Sequence, residues 1–227
     1  VKTSNPGAGT LPLQWTFQQS TNGPEPDDLA AWAGSLNISP FLARLLWRRG
    51  VCSLPEMDRY LSPGLRHLPP LESWPALIHG AEVLAECINS GLQVGIWGDY
   101  DVDGISATAL LVDFFRSKGV PVSFDLPDRF GDGYGLTPGG VERLAKQGVG
   151  GVLTVDGGIA DVAAVERARE LGIRVVISDH HLPGPHLPPA EAIVDPVLED
   201  ACSYSGVAGV GVAFLLMAAL NRILPGE

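Results

Sequence analysis

From Leu92 onward, short apolar runs alternate with stretches in which apolar residues recur three and four positions apart. Gln93–Trp97 is an apolar run fit for a buried parallel strand, and the helical period of Gly104–Lys118 follows it. Val120–Leu126, Gly151–Val155 and Arg174–Ser178 repeat the strand pattern, and Ala192–Val194 is a short fifth candidate. Between them one helix starts at Thr137-Pro138 and ends near Gln147, and another covers Ile159–Leu171. Parallel neighbours need a crossover to return the chain, so this rhythm predicts an α/β fold, a parallel β-sheet flanked by helices on both faces.

Upstream the period is helical from Asp28 to about Tyr60, with Ser39-Pro40 as a helix start and Phe41, Leu42, Leu45 and Leu46 at helical spacing. Pro63, Pro69, Pro70 and Pro75 mark a linker, and a helix over Ala76–Asn89 leads into the sheet. Residues 1–28, rich in Pro and Gly, show no sustained period and are expected to form a flexible arm, with a short strand around Trp15–Phe17. The expected organisation is an arm (1–28), a small helical segment with its linker (29–90) and the sheet domain (91–227). The most apolar stretch, Val207–Leu220, falls short of the roughly 20 residues that span a bilayer and reads as a buried helix.

Composition narrows the partners. The 227 residues carry a formal net charge of -11. An acidic chain repels phosphate backbones, so any nucleic-acid activity must rest on a local site, on bound cations or on parts of a longer protein. Cys52, Cys87 and Cys202 lie far apart with no C-x-x-C pair, which fits a reducing compartment and not a disulfide framework or zinc ribbon. No charged stretch followed by an apolar core opens the chain, so no secretory signal is read and a cytoplasmic location is expected.

Candidate chemistry gathers at the carboxyl ends of the predicted strands, where open parallel sheets bind their ligands. Gly98-Asp99-Tyr100-Asp101-Val102-Asp103-Gly104 follows the first strand, Asp156-Gly157-Gly158 the third and Asp179-His180-His181 the fourth. Singly, each has an ordinary explanation: a helix N-cap, a turn residue, a solvated His-His loop. The first is not an EF-hand, because its Gly and twelfth-position Glu are out of register. Together they put several carboxylates and two imidazoles in one cleft, an arrangement that becomes stable when cations fill it. Asp with His suits Mn²⁺, and less exclusively Mg²⁺ or Zn²⁺. Two ions about 3.5–4 Å apart, bridged by one carboxylate, are machinery for displacement at phosphorus. Gly104 permits a sharp strand-to-helix turn, and Gly157 and Gly158 let the backbone approach metals or a phosphate.

In order and spacing, GDYDVDG (98–104), TVDGGI (154–159) and SDHHLPG (178–184) resemble the successive motifs of the DHH phosphoesterases. LPDRFGDGYGLTP (126–138), AGVGVAFLLMAAL (208–220) and the stretch ISPFLARLLWRRGV…YLSP (38–63) are similar to the RecJ branch of that superfamily. The resemblance spans roughly residues 36–222. It implies two ions, Mn²⁺ or Mg²⁺, with Asp101 and Asp103 each holding one, Asp156 bridging both and His180 completing the second. It further implies that His181 contacts the scissile phosphate and that Asp179 orients the imidazoles. Asp99 is a further metal-site carboxylate, and Arg129, Gly157 and Gly158 are candidate phosphate contacts. The implied activity is 5′→3′ hydrolysis of single-stranded DNA in repair and recombination, with a single-stranded-DNA-binding protein or a helicase as candidate partners and no membrane.

The pattern departs from the family in places. Asn is frequent where Gly157 and Asp128 stand, and some relatives carry a metal-binding His where Trp97 stands, which argues against the small-substrate branches. The family's last metal-binding Asp and its substrate-gripping domain lie beyond the helix that ends near Leu224, so a fragment with an incomplete site and weak or absent activity is expected. Two alternatives stand beside this reading: a DHH phosphodiesterase or pyrophosphatase acting on small nucleotides, and a non-catalytic partner module of a repair or replication assembly.

Overall fold

The structure, a computed structural model, describes residues 25–127, 133 and 135–224. Most of the expected arm, the strand around Trp15–Phe17, Asp128 and Arg129 lie outside the described residues. The chain divides into two compact units, Val1–Leu68 and Pro69–Glu227.

In the first unit the helical stretch resolves into α1 (Leu29–Ser35), α2 (Pro40–Arg48) and α3 (Leu54–Leu61). Left-handed residues interrupt it, Asn37 after α1 and Gly50 after α2. Ser39 and Ser53 cap α2 and α3 by accepting the Leu42 and Glu56 amides, and each helix has Pro in its first turn. Leu46, Trp47 and Met57 form the centre of this unit's small core.

The second unit holds α4 (Pro75–Asn89), β1 (Gln93–Trp97), α5 (Val102–Ser117), β2 (Val122–Asp125), α6 (Pro138–Lys146), β3 (Val149–Val155), α7 (Val162–Glu170), β4 (Arg174–Ser178), β5 (Ala192–Val194) and α8 (Gly209–Ile223). The five strands are all parallel in the order β2-β1-β3-β4-β5. Leu77 of α4, Leu111 of α5 and Leu216 of α8 join one core on one face, and Leu144 of α6 and Val165 of α7 join another on the opposite face. The chain therefore adopts the α/β architecture that its alternation predicts.

The unit boundary falls between Leu68 and Pro69 and not between residues 90 and 91. The buried face of α4 is the reason: Leu77, Ala81 and Leu84 lie in the same core as the sheet. At Gly80 the helix approaches β5 so closely that a Cβ would sit 2.5 Å from Val194 Cγ2. Element ends also shift for local reasons. β2 starts at Val122 rather than Val120, because Pro121 has no N–H and the Val120 amide closes α5 onto the Phe115 carbonyl. α7 starts at Val162 rather than Ile159, because Asp156 (φ 60°) and Gly158 (φ 109°) hold a turn before it. The helix expected over Val207–Leu220 runs from Gly209 to Ile223.

β2 lies on one side of β1, and β3, β4 and β5 lie on the other. Crossovers diverge to opposite faces at such a reversal and leave a crevice beyond the strand ends. Among the described residues no helix is long and apolar enough to cross a membrane.

Candidate metal centre

Asp99 to Asp103 leave β1 at this crevice, Asp156 leaves β3, and Asp179, His180 and His181 leave β4, three adjacent strands. Asp101 caps α5, its carboxylate accepting the Asp103 and Gly104 amides at 2.8 and 3.0 Å. The helix thus starts at Val102, two residues earlier than expected, and carries Asp103 in its first turn. Gly104 permits this turn to press on Asp99, since a Cβ there would lie 2.5 Å from the Asp99 nitrogen.

Potential ligand atoms of Asp99, Asp101 and Asp156 lie within 4.8 Å of one another, and so do those of Asp156, His180 and His181. Asp156 stands in both groups. Its Oδ1 is 3.1 Å from His180 Nε2, and His180 Nε2 is 3.8 Å from Asp103 Oδ2. Asp103 belongs to neither group. Its carboxylate faces the N-terminus of α8, with Oδ2 accepting the Gly209 amide at 2.8 Å and Oδ1 the Val210 amide at 2.7 Å. Asp99 stands among the potential ligands of the first group.

Electrostatics follow from this crowding. Asp156 is 1% exposed, and burial together with the charges of Asp103 and Asp101 pushes its carboxyl pKa up to about 7. Burial also raises Asp99, against the pull of the Tyr100 amide. Asp101 moves the other way, because the Gly104 amide stabilises its charged form more than burial opposes it. Fully buried Asp179 accepts four hydrogen bonds: the Ile159 amide at Oδ2, and the His180 amide, the His181 amide and His181 Nδ1 at Oδ1. Burial lowers the His181 pKa, but the Asp179 hydrogen bond and surrounding carboxylates outweigh it and leave it raised.

This donor set fits divalent cations. Carboxylates and imidazoles converge from two sides on one buried carboxylate, whose pKa burial and its anionic neighbours raise together. Around Gly157 a Cβ would meet nothing within 4 Å, so space for a ligand is open there, whereas at Gly158 it would strike Thr154 Oγ1 at 2.4 Å.

Two features escaped sequence reasoning. One is the α8 N-terminus, whose AGVGVAF motif carried no assigned role. Gly209 comes so near the centre that a Cβ would lie 2.3 Å from Asp156 Oδ1. Gly209→Ala is expected to destabilise the protein by about 1–3 kcal/mol through this overlap, read as a lowered Tm. An unchanged Tm would place α8 farther from Asp156 than the structure does. The other is Asp195, 1% exposed at the end of β5, with its pKa pushed up to about 6 by burial. An Asp closing a candidate strand was the available signal.

Residues 93–225 match the DHH family, N-terminal domain. The chain is 42% identical over 190 residues to the single-stranded-DNA-specific exonuclease RecJ of Escherichia coli (strain K12), covering 82% of this chain and 32% of that protein. It is 34% identical over 218 residues to the protein of the same name from Bacillus subtilis (strain 168), covering 95% of this chain and 27% of that protein. Its fold is similar to the crystal structure of RecJ in complex with Mn²⁺ from Thermus thermophilus, with a TM-score of 0.67 and 33% identity, over 87% of this chain and 28% of that one. The chain thus spans at most about a third of the length of these relatives.

Proposed function

The chain belongs to the DHH family, and from that premise we propose that it is the metal-binding core of a RecJ-type exonuclease hydrolysing single-stranded DNA from the 5′ end in repair and recombination. The observation that carries this reading is Asp156, a buried carboxylate common to two groups of potential ligands. Asp101 with Asp99 would hold one ion and His180 the other, with Asp156 between them and Asp103 beside His180. Mn²⁺ or Mg²⁺ bound there would lower the pKa of water and neutralise charge on the phosphate.

The chain's own groups do the rest. Asp179 fixes the His181 ring through Nδ1 and favours its protonated form, which donates a hydrogen bond to a phosphate oxygen. Backbone at Gly157 leaves room for that phosphate, and Arg129 is proposed as a further contact to it. Asp103 draws the positive end of α8 toward the carboxylates and holds them together. We place the protein in the cytoplasm, with a single-stranded-DNA-binding protein or a helicase as its proposed protein partner.

The test gives 5′-phosphorylated single-stranded DNA and a dinucleotide, side by side with Mn²⁺, to a protein that carries this chain together with the downstream segment of its relatives. Preferential cleavage of the strand is expected. Preference for the dinucleotide would move the function to the small-nucleotide phosphodiesterases. In the same assay Asp179→Asn is expected to reduce hydrolysis about 10–100-fold by releasing the His181 ring. Full activity of that variant would remove His181 from the proposed role.

A further inference from the structure

α5 carries an outer apolar stripe beside the face that it buries in the core. Val102, Ile105, Ala109 and Val112 recur at helical spacing, and Val102 and Ile105 are left 80% and 46% exposed. Ile105, Ala109 and Val112 form one wall of a cavity of about 370 Å³, and Phe124 and Leu126 form the other. β2 is the last strand on that side of the sheet among the described residues, and Phe124 remains 49% exposed there. Asp113 and Arg116 supply the charged groups of the lining, and neither joins an ion pair among the described residues.

One end of this slot adjoins the metal-bearing turn. The Ile105 amide donates to the Asp101 carbonyl at 2.9 Å. A Cβ on Gly98 would lie 2.8 Å from Leu126 Cδ2 and would strike the hydroxyl of Thr108, which also lines the cavity. From Ile105 to Arg116 the helix then advances about 16 Å away from that turn, at roughly 1.5 Å per residue. None of the lining residues belongs to either group of potential metal ligands.

Apolar walls alone would accept any apolar group, but the rest of the lining is more selective. The volume falls within the roughly 300–1,000 Å³ of small-molecule sites. An exposed aromatic ring offers a stacking face to any base, whatever its identity. The Arg116 guanidinium suits a phosphate, and the Asp113 carboxylate can accept from an exocyclic amino group. We propose that the slot between α5 and β2 is a nucleotide subsite for single-stranded DNA, in which a base beyond the scissile phosphodiester stacks on Phe124 and a backbone phosphate meets Arg116. The proposal rests on the exonuclease reading above.

In the longer, active protein, Phe124→Ala is expected to raise KM for 5′-phosphorylated single-stranded DNA about tenfold, the worth of one base–aromatic stack. The kcat and the Mn²⁺ concentration for half-maximal activity should stay within about twofold. Phe124→Tyr keeps the stacking face and should retain the KM. Phe124→Leu keeps an apolar side chain without that face and should behave as Phe124→Ala. Arg116→Ala should weaken binding and reduce the slope of log affinity against log salt by about 1. With a chelator present to stop cleavage, irradiation of a bound strand carrying 5-iodouracil should cross-link it to Phe124. A Phe124→Leu protein indistinguishable from the unaltered one would show that the slot takes an apolar group other than a base, and overturns the subsite. Cross-links that map only elsewhere overturn it too. Failure of the unaltered protein to cleave DNA overturns the exonuclease reading instead, and the cross-link then decides the subsite by itself.

Discussion

Asp156→Asn is expected to reduce Mn²⁺-dependent DNA hydrolysis on the order of 10³-fold or more, the largest loss from any single change at the site. Both groups of potential ligands lose their common member at once. Asn is the better replacement than Ala because Asp156 has φ 60°, a left-handed conformation that Asn tolerates and Ala resists. The same change should stabilise the metal-free protein. Asp156 is 1% exposed beside Asp101 and Asp103, and a neutral amide relieves a repulsion that the carboxylate endures. Turnover and Tm are thus expected to move in opposite directions, and added Mn²⁺ should no longer raise the Tm of the variant. Turnover within about tenfold of the unaltered protein would remove Asp156 from the metal site.

Acidification should release the metal. Protons and cations compete for Asp156, whose pKa of about 7 in the metal-free fold makes the competition steepest just below neutrality. Apparent Mn²⁺ affinity is expected to fall up to about tenfold per pH unit below that point, measured by titration calorimetry. Metal-free stability runs the other way with pH. The folded Asp156 carboxyl keeps its proton to about pH 7, whereas the unfolded one releases it near the ordinary value of 3.8. Its contribution is fully present below 3.8 and is lost as pH rises through about 7. Asp195, raised to about 6, acts in the same sense over a narrower window. Lowered Asp101 opposes them, adding stability above 3.8 that disappears on further acidification. Mn²⁺ at about 100 times its Kd would add about 2.7 kcal/mol, so a chelator should lower Tm strongly at about pH 8 and hardly at about pH 5. Equal chelator effects at the two pH values would show that Asp156 does not exchange its proton for a cation.

Period and punctuation along the chain were enough to determine the parallel α/β sheet and to mark the ends of β1, β3 and β4 as the places where acids and imidazoles gather. Both are local properties: a run of apolar residues makes a buried strand, and the residue after it stands at the sheet's carboxyl edge whatever lies elsewhere. Only the tertiary structure decided how those side chains divide their tasks. Asp103 and Asp99 are near neighbours in sequence, yet Asp103 faces Gly209, 106 positions away, while Asp99 joins the potential ligands. That outcome depends on α8 packing in one core with α4 and α5, which brings an N-terminus to the crevice. Asp161 reaches 25 positions back to Leu136 instead of capping α7, and α4 belongs to the sheet's core instead of the preceding helical segment. Each is a contact between distant segments, and hydrophobic periodicity carries no record of which distant backbone a polar side chain will meet.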